Sequence, residues 1–178
     1  MWRNIVKYGV IAGLVVAAGM WGTLLAFRGD LPHGMLGMAL GYLSMLVALS
    51  AVFVGIKHHR DVDRGGVIRF WPAFGMGLGI SLVAGIFYVL AWELAQATVV
   101  GDFASHYAAS AIAQAKAGGA DAAELAKLSA QMESFKLQYA DPLFRLPMTF
   151  AEIFPVGVLV SLVSAAVLRN PRVLPARG

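Results

Sequence analysis

The chain has 178 residues, of which 59% are hydrophobic and only 13% charged, with a further 20 glycines; soluble domains sit near 45 to 50% apolar and about 25% charged. With a mean hydropathy of +0.72 there is too little polar surface to coat a water-soluble globule, and the composition places the chain in a membrane. The absence of cysteine excludes disulfides, thiolate metal sites and cysteine nucleophiles, and the net charge of +4 reads as bilayer orientation and not as nucleic-acid binding, because the basic residues flank apolar runs.

Four spans are predicted, at about 7–27, 34–56, 72–97 and 147–168. The uncharged runs Tyr8 to Phe27, Leu31 to Ile56 and Phe70 to Trp92 each reach the roughly 20 residues that a helix needs to cross about 30 Å of hydrocarbon. The fourth run, Ile153 to Leu168, is short. It spans only if Glu152 enters the membrane, so its helix is expected to start near Leu146 or Pro147. A cleavable signal peptide is the rival reading of residues 1–27, but that run outlasts an ordinary signal core.

Lysine and arginine set the orientation. Placing both termini and the second loop in the cytoplasm puts Arg3, Lys7, Lys57, Arg60, Arg64, Arg69, Arg169, Arg172 and Arg177 inside, which predicts an inner-membrane protein with both ends cytoplasmic. The first connection should turn at Gly29, Asp30 and Pro32. The second, with Lys57, Arg60, Arg64 and Arg69, suits anionic headgroups. Its His58, His59, Asp61 and Asp63 make a poor metal set, because adjacent histidines point apart. The third connection, 101–145, has soluble character and reads as an extracytoplasmic helical hairpin: a first arm near Phe103 to Lys116, a break at Gly118 and Gly119, and a capping box at Asp121 and Glu124. Leu125, Leu128, Met132, Phe135 and Tyr139 form a narrow seam on the second arm. It would pack on the first arm, on another copy or on an envelope partner.

Within the spans, small residues recur at helical spacing, among them Gly37, Gly41, Gly75, Gly79, Gly157 and Ser161, which marks close helix packing and leaves room for a homo-oligomer. Trp2, Trp21, Trp71 and Trp92 fall near span ends, as interfacial indoles do. Glu93 and Glu152 are the ionisable residues in or beside the spans, and this topology puts both about 6 to 8 Å inside the outer boundary. Two carboxylates in low dielectric would share a proton or hold a cation. Arg145, Thr149 and Gln96 complete a polar cluster, and Pro155 frees the carbonyl of Ala151 beside it. The opposing expectation has Glu93 reaching the interface and Glu152 pairing with Arg145.

Tyr42-Leu-Ser-Met-Leu-Val-Ala-Leu-Ser, Phe53-Val-Gly-Ile-Lys57, Arg60-Asp61, Gly65-Gly66, Tyr88-Val-Leu-Ala-Trp-Glu93, Asp141-Pro-Leu-Phe-Arg145 and Thr149-Phe-Ala-Glu-Ile-Phe-Pro-Val-Gly157 together resemble a bacterial family of four-span inner-membrane proteins catalogued as a domain of unknown function. The resemblance implies the fold and the membrane, and no activity. Neither a phosphate loop, a serine elbow nor a zinc-binding helix is present in the sequence, and no cofactor is expected. The sequence therefore predicts an all-α, four-span, non-enzymatic interaction module, with a proton- or cation-linked carrier using Glu93 and Glu152 as the alternative.

Overall fold

The computed structural model describes residues 1–27 and 34–175; the expected turn at Gly29, Asp30 and Pro32, with Arg28, His33 and Arg177, lies outside them. Six α-helices follow one another: α1 (Trp2–Ala26), α2 (Gly34–His58), α3 (Phe70–Ala95), α4 (Phe103–Ala117), α5 (Ala122–Tyr139) and α6 (Pro142–Leu168). A π-helical turn extends α2 over His59–Asp63 and α3 over Gln96–Val100. No strand occurs among the described residues. α1, α2, α3 and α6 are each long and apolar enough to cross a membrane, where a helix satisfies its own backbone groups.

These four form a bundle in which α3 packs on α1, α2 and α6, and α2 packs on α1 and α6. Its interior holds Ala12 and Val16 of α1, Leu49 and Val52 of α2, Met76 and Ile80 of α3 and Ile153 of α6, while Leu14, Leu43, Leu46, Leu90, Leu159 and Val163 stand exposed. Apolar side chains that face outward are what a lipid-solvated bundle presents. α3 and α6 cross closely. A Cβ on Gly77 would lie 2.7 Å from Cβ of Ser161, and one on Gly157 2.6 Å from Cβ of Ser81. Ser81 and Ser161 meet hydroxyl to hydroxyl at 3.3 Å, and Ser161 Oγ donates to the Gly157 carbonyl at 2.7 Å. Close backbones of this kind exchange side-chain volume for dispersion contact.

The small residues of α3 divide between two neighbouring helices, and of the expected pair Gly79 packs while Gly75 does not. Gly157 and Ser161 do pack, but against Gly77 and Ser81, whereas Gly79 faces Ile5 of α1 and both Gly75 and Gly41 face open space; Gly37 is half-buried. Gly75 and Gly79 lie on another face of α3 from Gly77, Ser81 and Gly85, and it is the latter face that meets α6, with Gly85 under Phe150.

The second difference concerns where α6 begins. Asp141 caps it, accepting from the Leu143 N–H at 2.9 Å, and Pro142 occupies the first turn, where its missing N–H costs nothing. Pro147 is therefore inside the helix and α6 runs 27 residues. α4 and α5 fold back on each other across Gly118–Asp121, and Gly119 takes the left-handed φ of +84° that this reversal needs. Asp121 and Glu124 exchange both capping-box bonds. The seam of α5 packs within the chain: the rings of Tyr107 and Phe135 are 5.7 Å apart and those of Phe103 and Tyr139 5.5 Å.

Candidate functional site

Two polar clusters lie at the ends of the bundle, one at each end. At the end that carries α4 and α5, Arg145 projects from the first turn of α6 towards the last turn of α3 and grips Glu93 with two bonds, Nε to Oε1 at 2.8 Å and Nη2 to Oε2 at 2.7 Å. Its remaining nitrogen donates to the Tyr139 carbonyl at 3.1 Å. The planar fork suits a carboxylate in this bidentate way. The Tyr139 hydroxyl in turn accepts from Trp92 Nε1 at 2.8 Å and Gln96 Nε2 at 2.7 Å. Burial pushes the Tyr139 hydroxyl above the usual phenol range, against those two donors, which favour the anion. Thr149, buried one turn beyond Arg145, donates to its carbonyl at 3.0 Å. Glu93, Arg145 and Gln96 thus meet around Tyr139, a residue that the sequence suggested only as part of a packing seam, and Thr149 joins them through the Arg145 backbone.

Glu152 is elsewhere. Its Oε2 accepts from the Tyr88 hydroxyl at 2.9 Å, five residues before Glu93 on α3 and so about 7.5 Å deeper along the helix. Arg145 is seven residues away on α6, about 10 Å along the axis. The two carboxylates therefore do not share a depth and do not form a proton-sharing pair, because Arg145 occupies both oxygens of Glu93; nor is Glu152 the partner of Arg145. The earlier start of α6 explains this, since it puts Arg145 in the helix and Glu152 further along it. Among the described residues no ion pair includes Glu152, and its side chain is exposed on the bundle surface. Pro155 lies in the interior of α6, where it cannot donate to the carbonyl of Ala151.

Trp92 corrects the interfacial reading of the four indoles. It is 8% exposed, packed with Leu24, Ala95 and Val100, and its N–H is spent on Tyr139. Trp2 and Trp71 stand exposed.

At the opposite end the buried groups carry little sequence signal. Arg60 is fully buried, so it makes no headgroup contact. Its guanidinium donates to the carbonyls of Leu168, Val173 and Leu174 and to Asp61 Oδ1, satisfying carbonyls that the end of α6 and the segment after it leave free. The π-helical turn swings Arg60 inward, where an expected hydrated loop would have left it in water. Next to it His59 Nδ1 bonds Asp63 at 2.7 Å, and Asn4 of α1 donates to the same carboxylate at 2.8 Å; His59 Nε2 is buried without a partner. Arg64 and Arg69 remain exposed. Lys57 is half-exposed and bonds Asp61.

The family model of a protein of unknown function, DUF4199, matches residues 7–170. No curated protein and no solved structure matches the chain.

Proposed function

We propose, for a chain that belongs to the DUF4199 family of proteins of unknown function, a non-enzymatic role: a four-span module of the bacterial inner membrane that holds the α4–α5 hairpin at a fixed attitude outside the membrane for an envelope partner. The observation that carries this reading is the Glu93–Arg145–Tyr139 cluster, which ties the root of the hairpin to α3 and α6 at once. The groups of this cluster are consumed by one another, both oxygens of Glu93 by Arg145 and the Tyr139 hydroxyl by two donors, which suits an anchor better than a reaction centre. Leu137, at 78% exposure, and Tyr107, at 48%, supply apolar contacts on the hairpin for a partner.

The orientation rests on the basic residues. Arg3, Lys7, Arg64, Arg69, Arg169 and Arg172 belong to the end of the bundle opposite the hairpin, which makes that end cytoplasmic by the positive-inside rule. There Arg64, Arg69 and the half-exposed Lys57 are available to anionic headgroups. The exposed faces of Gly41 and Gly75 leave room for a second copy.

Because the chain has no cysteine, single cysteines report both points. Ala120→Cys at the hairpin turn should react with a membrane-impermeant maleimide in intact cells, and Arg64→Cys only after permeabilisation. The reverse pattern overturns the orientation. A photo-crosslinker at Leu137 should capture one defined envelope protein, and capture that is unchanged when it is moved to a lipid-facing position such as Leu159 overturns the docking role.

The second reading, a proton- or cation-linked carrier, loses Glu93 to Arg145 and rests on Glu152, which has no cation beside it.

A further inference from the structure

We propose that Glu152 is a proton-binding site inside the membrane, carried as the neutral acid at pH 7 on the lipid-facing surface of α6. The inference rests on the membrane reading above and on four observations. Glu152 lies ten residues into a 27-residue spanning helix, about 15 Å from its start, near the middle of the span. Its bonded partner is the phenol of Tyr88 at 2.9 Å. The arginine on the same helix is about 10 Å away and is already held by Glu93. Its side chain is exposed on the protein surface, so hydrocarbon, and not protein, is what surrounds the free oxygen.

The titratable groups nearest this carboxyl are phenols, neutral at pH 7: Tyr88 on α3, which donates to it, with Tyr139 at the end of α5 and Tyr42 of α2 in the neighbourhood. None supplies a positive charge. An ionised carboxylate facing lipid without a cation or water is expensive, and the group neutralises instead. One phenol donor offsets only a small part of that cost. Glu93 has the opposite fate within the same bundle, because Arg145 compensates it with two charged bonds. In the neutral acid one oxygen accepts from Tyr88 and the other carries the proton.

The test is modification by a hydrophobic carbodiimide, which attacks protonated carboxyls from within the bilayer. The full chain in lipid nanodiscs is treated at pH 7 and the adducts are located by peptide mass spectrometry. A free glutamate, with a pKa near 4.3, is only about one part in five hundred protonated at pH 7. Adduct at Glu152 should therefore form on the order of a hundredfold faster than at the exposed Glu133 of α5, and Glu93 should stay unmodified. The rate should fall as pH is raised, and Tyr88→Phe, which removes the donor that favours the anion, should move that fall to higher pH. Leu159→Glu, one further exposed position on α6, is the reactivity control. If that control is modified while Glu152 is not, Glu152 is ionised or covered and the proposal fails. An infrared carboxylic C=O band at pH 7 that disappears in Glu152→Gln is the second, independent readout; its absence in the wild type also overturns the proposal. Failure here leaves the maleimide result intact, and reversed maleimide labelling leaves the carbodiimide result intact, so the two readings fail separately.

Discussion

Replacing Glu93 by glutamine keeps its shape and removes its charge, which isolates the electrostatic part of the clamp at the hairpin root. The wild-type pair has side-chain exposures of 17% for Arg145 and 29% for Glu93, so water screens it in part. A fully buried pair broken on one side costs about 3 to 5 kcal/mol, and a single hydrogen bond to a charged group is worth about 1.5 to 3 kcal/mol. With that screening the lower range applies, and a loss of about 2 kcal/mol is expected, roughly thirtyfold in the folded-to-unfolded ratio. The mutant leaves Arg145 with the Tyr139 carbonyl and an amide that presents one acceptor in place of two. Reversible unfolding in mixed micelles gives the stability change, and hydrogen exchange over residues 135–145 shows whether the loss is felt at the hairpin root. Arg145→Gln completes the cycle, and the double mutant should recover about 1 kcal/mol or more of the summed losses. A single-mutant loss below about 0.5 kcal/mol, as for an ordinary surface pair, with additive singles, would refute the claim that this pair locks the hairpin.

Three further outcomes are expected. Gly157→Ala should lose about 1 to 3 kcal/mol by overpacking the α3–α6 crossing, since its Cβ would meet Ser81 at 2.6 Å, while Gly75→Ala, with open space around it, should be neutral or gain up to about 1 kcal/mol of helix propensity; equal unfolding midpoints for the two would contradict the register described. Arg60→Gln should free the segment after α6, read as faster trypsin cleavage at Arg172 of the protein in lipid nanodiscs, which leave both faces accessible, with Arg64→Gln, an exposed change, leaving the cleavage rate unaltered. Asp102 caps α4 through Ser105, whose side-chain and backbone bonds hold the carboxyl below its usual range. Its folded pKa lies below its unfolded one, so the cap is fully effective above the unfolded value near 3.9 and is lost as pH falls through the lowered folded value. Helicity of the hairpin should therefore stay level from pH 7 to 5 and drop only below about 4, and Asp102→Asn should flatten that drop.

What the sequence disclosed follows the range of the interactions involved. The four long helices are legible because apolar length alone decides them, and the Gly118–Gly119 break and the Asp121–Glu124 box are legible because a cap is settled within one turn. The start of α6 differs from the expectation for a local reason as well: Pro147 suits a first turn, but Asp141 and Pro142 supply a cap and a proline five residues earlier. The partner of Arg145 is a different matter. Glu93 lies 52 residues from it and Tyr88 lies 64 from Glu152, and which carboxylate faces which helix depends on rotation about α3 that spacing on one helix does not determine. The same rotation decided that Gly77 and Ser81, and not Gly75 and Gly79, meet α6. Burial of Arg60 had no sequence signal, because its partners are main-chain carbonyls, which every residue carries.

Those carbonyls also impose an order on biogenesis. The groups that receive the Arg60 guanidinium are 108 to 114 positions later in the chain, so during synthesis this arginine follows span two into the membrane boundary long before its acceptors exist. Until α6 arrives the charge has to stay hydrated, which holds α2 at the water edge and keeps it from sliding inward. Sealing of that end of the bundle therefore waits for α6, and a translocon or quality-control protease that surveys incomplete intermediates would meet an exposed arginine there for as long as the fourth span is missing.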